Sequence, residues 1–315
     1  MTALAYILTG WDITLWTSTM RKLAPELDIR SYPGKMGRLE DISYALAWRP
    51  EPHVLQRLPN LKAIFSLGAG VDAILADVTV PEVPIVRIVD PDMTMRMSEF
   101  VVMHVLMHHR QQKRIDANQR AKIWDPFATH AADALKVGIM GFGVLGQDAG
   151  RKLKTMGFDV AGWSQNRKTA AGIETFAGAA ELDGFLARTD ILVVLLPHTP
   201  ETTGIINRSL IEKLSRQGPF GAPILINAGR GKLQVEKDII ACLKSGTLYA
   251  ASLDVFEQEP LPADSVLWTQ PNIYVSSHVA ADSDPVTISR NILKQIKQHE
   301  AGGALENIVD RQRGY

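Results

Sequence analysis

Three polar side chains each stand just beyond a short apolar run. Arg230 follows the run in ILINAGRG, Glu259 follows the one in ASLDVFEQEP, and His278 closes IYVSSH. A guanidinium can grip a substrate carboxylate with two parallel hydrogen bonds, or polarise a ketone. An imidazole can hand a proton to a carbonyl oxygen as hydride reaches the carbon, and a carboxylate beside it keeps that imidazole protonated. Together the three suit reduction of a 2-oxo acid. Taken singly, each would be an ordinary surface or capping residue. Their grouping beside a dinucleotide motif gives them weight.

That motif is KVGIMGFGVLG at residues 136–146. It follows an apolar run, opens a helix-patterned segment and leads to a second run, the strand–helix–strand context a dinucleotide fingerprint requires. Gly141 permits a tight turn, Gly143 admits a pyrophosphate close to the backbone, and Gly146 lets helix and strand pack closely. The free N–H groups and positive dipole end of the helix then face the phosphates. The second run ends in WSQNRK at 163–168, with no acid to accept from a ribose 2′-hydroxyl. Ser164 can donate to a phosphate, and Arg167 and Lys168 add positive charge. These residues point to NADPH, with NADH as the lesser possibility.

Positioning these groups calls for a parallel sheet. Apolar runs recur at 4–8, 44–47, 63–67, 85–89, 137–140, 160–163, 191–196, 224–226, 250–253 and 273–275, most of them rich in Val and Ile. Such runs are expected of strands buried on both faces, and helical patterns such as 147–156 and 236–245 lie between them. The alternation predicts an α/β, doubly wound architecture, in which loops at the carboxyl ends of strands converge on one crevice. A Gly- and Pro-free stretch at 98–123 predicts one long connecting helix, and 285–300 predicts another that carries the chain back to the first unit. The reading is two parallel-sheet domains: a Rossmann-type cofactor domain at 99–283, inserted in a flavodoxin-like substrate domain formed by 1–98 and 284–315.

The chain has 315 residues, about two domains at roughly 150 residues each. Lys plus Arg is 34 and Asp plus Glu is 34, so no basic excess argues for nucleic acid. The one cysteine, Cys242, is read as an inert buried thiol; it cannot form an internal disulfide, which suits a reducing compartment and a cytoplasmic location. No signal peptide is read at the N-terminus, and no apolar run approaches the ~18–20 residues of a membrane helix. His104 and His108 share a helix face at a metal-ligand spacing, but no third ligand accompanies them. They are read as buried or at a subunit interface, with no metal. The methionines at 93, 95, 97, 103 and 107 are read as core filling in preference to an adaptable surface.

The set GFGVLG, LLPHTPET, INAGRG, DVFEQEPLP and SHVAA, in that order, resembles the D-isomer-specific 2-hydroxyacid dehydrogenases over nearly the whole chain. The LGAGVD turn, the WSxxRK segment and the tail VDRQRGY resemble the members of that family that reduce glyoxylate and hydroxypyruvate. The resemblance implies that Arg230 binds substrate, Glu259 pairs with the histidine and His278 donates the proton. It implies that backbone amides of the turn at Gly68, Ala69 and Gly70 hold the substrate carboxylate, and that Trp48 lines the pocket. For the cofactor it implies Phe142, Val144, Leu145, Leu196, Pro197, Ala228 and Gly229 in addition to the motif glycines. Thr202 then lies near the phosphates and Asp254 against the nicotinamide carboxamide. It also implies a homodimer formed through the cofactor domain. Two positions depart from the pattern: Gln165 stands where relatives carry Arg, which weakens a strict NADPH preference, and Ser277 stands where Pro usually precedes the histidine.

The activity so implied is NADPH-dependent reduction of glyoxylate to glycolate and of hydroxypyruvate to D-glycerate, with domain closure excluding water. Two alternatives remain open: a dehydrogenase for another D-2-hydroxy acid, and a nicotinamide-sensing binding protein of co-repressor type. The latter commonly carries extra disordered tails, and this chain ends about fifteen residues past its last helix pattern.

Overall fold

The computed structural model describes residues 3–10 and 12–315. They divide into two compact units, Met1–Met93 with Ser283–Tyr315, and Thr94–Asp282. The first unit runs β1 (Ala3–Leu8), α1 (Thr14–Leu23), β2 (Asp28–Tyr32), β3 (Ile42–Trp48), β4 (Ala63–Ser66), α2 (Asp72–Leu75) and β5 (Ile85–Val86). Its five strands are all parallel, in the order β2-β1-β3-β4-β5. That is the flavodoxin-like order.

The second unit takes up α3 (Pro91–His109) after its first turn and continues through α4 (Gln112–Ala121), β6 (Lys136–Met140), α5 (Val144–Thr155), β7 (Asp159–Ser164) and β8 (Glu174–Ala177). Then come α6 (Gly178–Ala187), β9 (Ile191–Val194), α7 (Arg208–Glu212), β10 (Ile224–Asn227), α8 (Glu236–Ser245), β11 (Ala250–Leu253) and β12 (Ile273–Val275). Seven parallel strands lie in the order β12-β11-β10-β9-β6-β7-β8. This is the Rossmann order with one strand added, and its direction reverses between β6 and β9. The last helix, α9 (Pro285–Glu300), packs on α1 in the first unit. Tyr44 of β3 anchors it, its hydroxyl donating to Glu300 Oε1 at 2.7 Å.

The second sheet is covered on both faces. Ile191 and Val193 enter one core with Val137, Ile139, Ile224 and Ile226. Leu192 and Val194 enter the opposite core with Met140 and Leu225. Alternate residues therefore serve opposite faces, so a buried parallel strand reads as an unbroken apolar run.

Three features depart from the sequence expectation. β2 and β8 have no counterpart among the predicted runs; both are edge strands, and every residue of β2 is only half-buried. The single helix expected at 98–123 begins seven residues earlier and breaks. It starts at Pro91 because Asp90 caps it, accepting from the Asp92 and Met93 amides at 2.9 and 3.1 Å, and proline costs nothing in a first turn. It breaks at Gln111, whose left-handed backbone (φ 54°) separates α3 from α4. The methionines are mixed: Met93 and Met97 are buried, whereas Met95 and Met103 are exposed. Among the described residues no helix is long and apolar enough to cross a membrane.

Candidate active site

The glycine motif lies at the carboxyl end of β6, beside the point where strand order reverses. The Gly141 and Phe142 amides both donate to the Trp163 carbonyl, at 2.9 and 3.0 Å, stitching the turn to β7. Gly141 has φ +105°, and a Cβ there would fall 2.6 Å from the Leu195 carbonyl carbon. A Cβ on Gly146 would fall 2.4 Å from the Gly141 carbonyl oxygen. A Cβ on Gly143 would meet no protein atom within 4 Å. The turn is closed on its inner side and open at the start of α5, where the first amides of a helix have no carbonyl to bond. That is a cradle for a phosphate, and these residues fit a dinucleotide.

Phe142 serves the core rather than the cradle: its ring is buried beneath Gly162, where a Cβ would sit 2.2 Å from it. Its carbonyl accepts from Gln147 Nε2. Val144 is exposed, and Leu145 packs partly against the core. Leu196 and Ala228 are buried beside the cradle, and Gly229 lies so near that a Cβ would fall 2.8 Å from the Leu196 oxygen. Thr202 spends its hydroxyl inside its own loop, donating to the Pro197 carbonyl at 2.9 Å and accepting from the Thr199 amide at 2.8 Å. At the end of β7, Ser164 donates to the Asn166 carbonyl at 2.7 Å. Arg167 bonds the Thr175 carbonyl and pairs with Glu181, and Lys168 is exposed.

Arg230, Glu259 and His278 follow β10, β11 and β12 at the carboxyl edge of this sheet. His278 Nδ1 lies 2.9 Å from Glu259 Oε2 and 3.2 Å from Oε1, and the Phe256 amide donates to Oε1 at 3.2 Å. Arg230 Nη1 donates to the Gly229 carbonyl at 2.9 Å. The structure thus joins the histidine to its carboxylate and sets the arginine on the adjacent loop.

His278 adopts a left-handed backbone, φ +57°, a conformation that costs a non-glycine residue on the order of 1 kcal/mol and persists only when its surroundings enforce it. Asp254 enforces it. Its carbonyl accepts the His278 amide at 2.8 Å. Its buried carboxylate accepts from Ser276 Oγ at 2.6 Å and from the Val279 and Ala280 amides at 3.0 Å each. Asp254 therefore binds both flanks of the histidine, a role the sequence reading did not give it.

In the first unit, Trp48 lies over Gly68 so closely that a Cβ there would overlap its ring at 2.1 Å. Ser66 draws the Gly68 and Gly70 carbonyls inward, at 2.8 and 3.1 Å. Because C=O and N–H point oppositely across a trans peptide, the Ala69 and Val71 amides face the other way. The Gly68 amide instead points to Ser66 Oγ at 3.3 Å. Ser66 and Ser276, like Asn227 below, were missed in the sequence. Each is a polar residue at or just past the end of an apolar run, and that is the signal that could have found them.

His104 and His108 of α3 both bond Ser252 Oγ of β11, each at 2.8 Å. Burial pushes their imidazoles down to about 4 and about 3. No group of metal-ligating side chains occurs among the described residues. Cys242 is buried in α8, and burial raises its thiol. A cavity of about 540 Å³, lined by Lys113, Phe220, Tyr249 and Tyr274 among others, opens at the amino ends of β10–β12, away from Arg230, Glu259 and His278.

A seven-stranded dinucleotide sheet with a histidine–carboxylate pair and an arginine on its carboxyl edge defines a nicotinamide-dependent oxidoreductase. Residues 102–280 match the D-isomer specific 2-hydroxyacid dehydrogenase NAD binding domain, and the chain belongs to that family. It is 39% identical to glyoxylate/hydroxypyruvate reductase A of Escherichia fergusonii, over 97% of both chains. Among solved structures, it is similar to the NADPH-dependent glyoxylate/hydroxypyruvate reductase of Sinorhizobium meliloti in complex with NADP and sulfate, with 46% identity and a TM-score of 0.95 over 100% of both chains. A probable 2-hydroxyacid dehydrogenase of Rhizobium etli, in complex with NADP, HEPES and L(+)-tartaric acid, matches at 45% identity and a TM-score of 0.94 over 100% of both chains.

Proposed function

We propose that this chain reduces small 2-oxo acids with NADPH, taking glyoxylate to glycolate and hydroxypyruvate to D-glycerate. The observation that carries the reading is the His278–Glu259 pair, 2.9 Å apart, in the same unit as the dinucleotide cradle. A reduced nicotinamide, when bound, supplies the hydride. His278 gives the proton to the carbonyl oxygen. Glu259 accepts the Nδ1–H bond and leaves Nε2 as the donor, while its charge stabilises the imidazolium before transfer. Arg230 binds and polarises the substrate. Within the first unit, the Ala69 and Val71 amides turn away from Ser66 and suit a carboxylate, and Trp48 covers Gly68. At the nucleotide end, Ser164, Arg167 and Lys168 read the 2′-phosphate.

The homodimer is part of this reading. α4 buries none of its residues, and Trp124 just beyond it is 95% exposed; a second copy covering that surface accounts for both. A cytoplasmic location accords with a single, buried cysteine.

The test is steady-state oxidation of NADPH and of NADH with glyoxylate, hydroxypyruvate and pyruvate, beside His278→Ala. Rapid NADPH turnover with the first two substrates, lost in the variant, is the expected result. NADH preference would overturn the cofactor assignment alone. Binding of cofactor without turnover of any substrate would shift the reading to a nicotinamide-sensing protein. Sedimentation of the wild type against Trp124→Ser tests the dimer.

A further inference from the structure

The arginine and the histidine–carboxylate pair arrive on separate loops, and a reductase that uses them together must hold those loops in register. A displacement of about 1 Å in a reacting group can cost on the order of a hundredfold in rate. Loops with free backbone groups do not hold such a register unless something cross-links them. Resting on the reading above, we infer that Gln234 is the positioning residue that locks the Arg230 turn to the loop bearing Glu259, and through it to His278.

Gln234 is 2% exposed and lies four residues beyond Arg230. Its Oε1 accepts from Asn227 Nδ2 at 2.8 Å. Asn227, itself fully buried, grips the turn at two points: its Nδ2 also donates to the Arg230 carbonyl at 3.2 Å, and its Oδ1 accepts the Gly229 amide at 3.0 Å. From its other end, Gln234 Nε2 donates to the Val255 carbonyl at 2.9 Å. The next residue, Phe256, gives its amide to Glu259 Oε1. One carboxamide thus connects the backbone around Arg230 to the backbone that fixes the Glu259 carboxylate.

The surrounding contacts allow no slack. A Cβ on Gly231 would lie 1.8 Å from the Phe256 carbonyl oxygen, so the two loops are in direct contact there. Glu236 and Glu257 close the outer side reciprocally, the Glu236 amide donating to Glu257 Oε1 at 2.9 Å and the Glu257 amide to Glu236 Oε1 at 2.8 Å. An apolar residue of similar volume could fill the same space. The amide is distinguished by donating at one end and accepting at the other. A fully satisfied buried bridge of this kind fixes one arrangement where an apolar contact would allow several.

Two variants separate positioning from packing. Gln234→Leu keeps the bulk and removes both ends of the bridge. Gln234→Glu keeps the acceptor for Asn227, but an ionised carboxylate cannot donate to the Val255 carbonyl; only its protonated form can. We expect kcat for glyoxylate to fall at least tenfold in both variants at pH 8, with the NADPH dissociation constant within twofold of wild type. Lowering the pH to 6 should restore part of the loss in Gln234→Glu, relative to wild type at the same pH, and none of it in Gln234→Leu. Amide exchange at Gly229 and Phe256 should accelerate together in Gln234→Leu, a readout that needs no turnover. Variants that lose thermal stability but keep kcat within twofold would overturn the inference. So would exchange that accelerates at only one of the two amides. If wild type reduces no 2-oxo acid, the functional reading fails by itself, and the exchange result still decides whether Gln234 couples the loops.

Discussion

The buried histidine pair on α3 makes the protein sensitive to mild acid. His104 Nδ1 and His108 Nε2 share one serine hydroxyl, which can donate to one ring and accept from the other while both rings are neutral. Loss of solvent is the main cause that holds His104 down to about 4 and His108 to about 3, against an ordinary 6.5. For His108, the neighbouring His104 and Lys113 add repulsion; for His104, Asp254 opposes the shift. The folded protein therefore refuses protons that the unfolded chain accepts. Stability conferred by the neutral pair is complete above 6.5 and is lost as pH falls from there toward the folded values. At about 1.4 kcal/mol per pH unit, each histidine costs about 2 kcal/mol between pH 7.5 and pH 5, or about 4 kcal/mol together. That sum requires only that both folded values lie below 5. Urea unfolding of wild type and of His104→Gln/His108→Gln at the two pH values measures it. The double variant starts less stable but should lose about 4 kcal/mol less than wild type over the interval. Carboxylates and the remaining histidines titrate alike in both proteins and cancel. Equal losses in the two proteins would refute the reasoning.

Three further outcomes follow from the site. Glu259→Gln keeps a carbonyl oxygen for the histidine and removes the charge, so kcat should fall about a hundredfold with NADPH affinity unchanged; a loss below threefold by stopped-flow hydride transfer would count against the pair. Alanine at two glycines of one motif should separate folding from binding. Gly146→Ala drives a Cβ to 2.4 Å from a backbone oxygen and should lower the thermal midpoint by several degrees. Gly143→Ala meets no protein atom, so it should fold normally and raise the NADPH dissociation constant at least tenfold by fluorescence titration. Glu181→Gln frees Arg167 from an ion pair that is more than one-third exposed on both sides. Such solvent-screened pairs contribute little, so NADPH affinity should rise by no more than about twofold with NADH affinity unmoved, as measured by parallel titrations.

Much of this arrangement is legible along the chain because burial on both faces writes itself into sequence. The ten predicted runs all fall on strands of two parallel sheets, and the glycine motif sits where a strand must turn into a helix. The edge strands β2 and β8 left no such mark, since a strand covered on fewer sides carries fewer apolar residues. The start of α3 was legible but overlooked: Asp90-Pro91 is a cap followed by a first-turn proline. Its break at Gln111 has no glycine or proline to announce it.

Residue type and order by themselves determined the fold class and the glycine turn, and singled out Arg230, Glu259 and His278, which the structure sets on one edge of a sheet. Those depend on local chemistry and on a period of burial, both of which are properties of a chain read in one dimension. Tertiary structure alone decided that Asp254 secures the histidine loop, that Asn227 and Gln234 tie the arginine turn to the glutamate loop, and that two histidines on a helix meet a serine 144 and 148 residues away. Each of these is a hydrogen bond between segments brought together by strand order, and its partner is chosen by distance in space, which residue spacing does not encode.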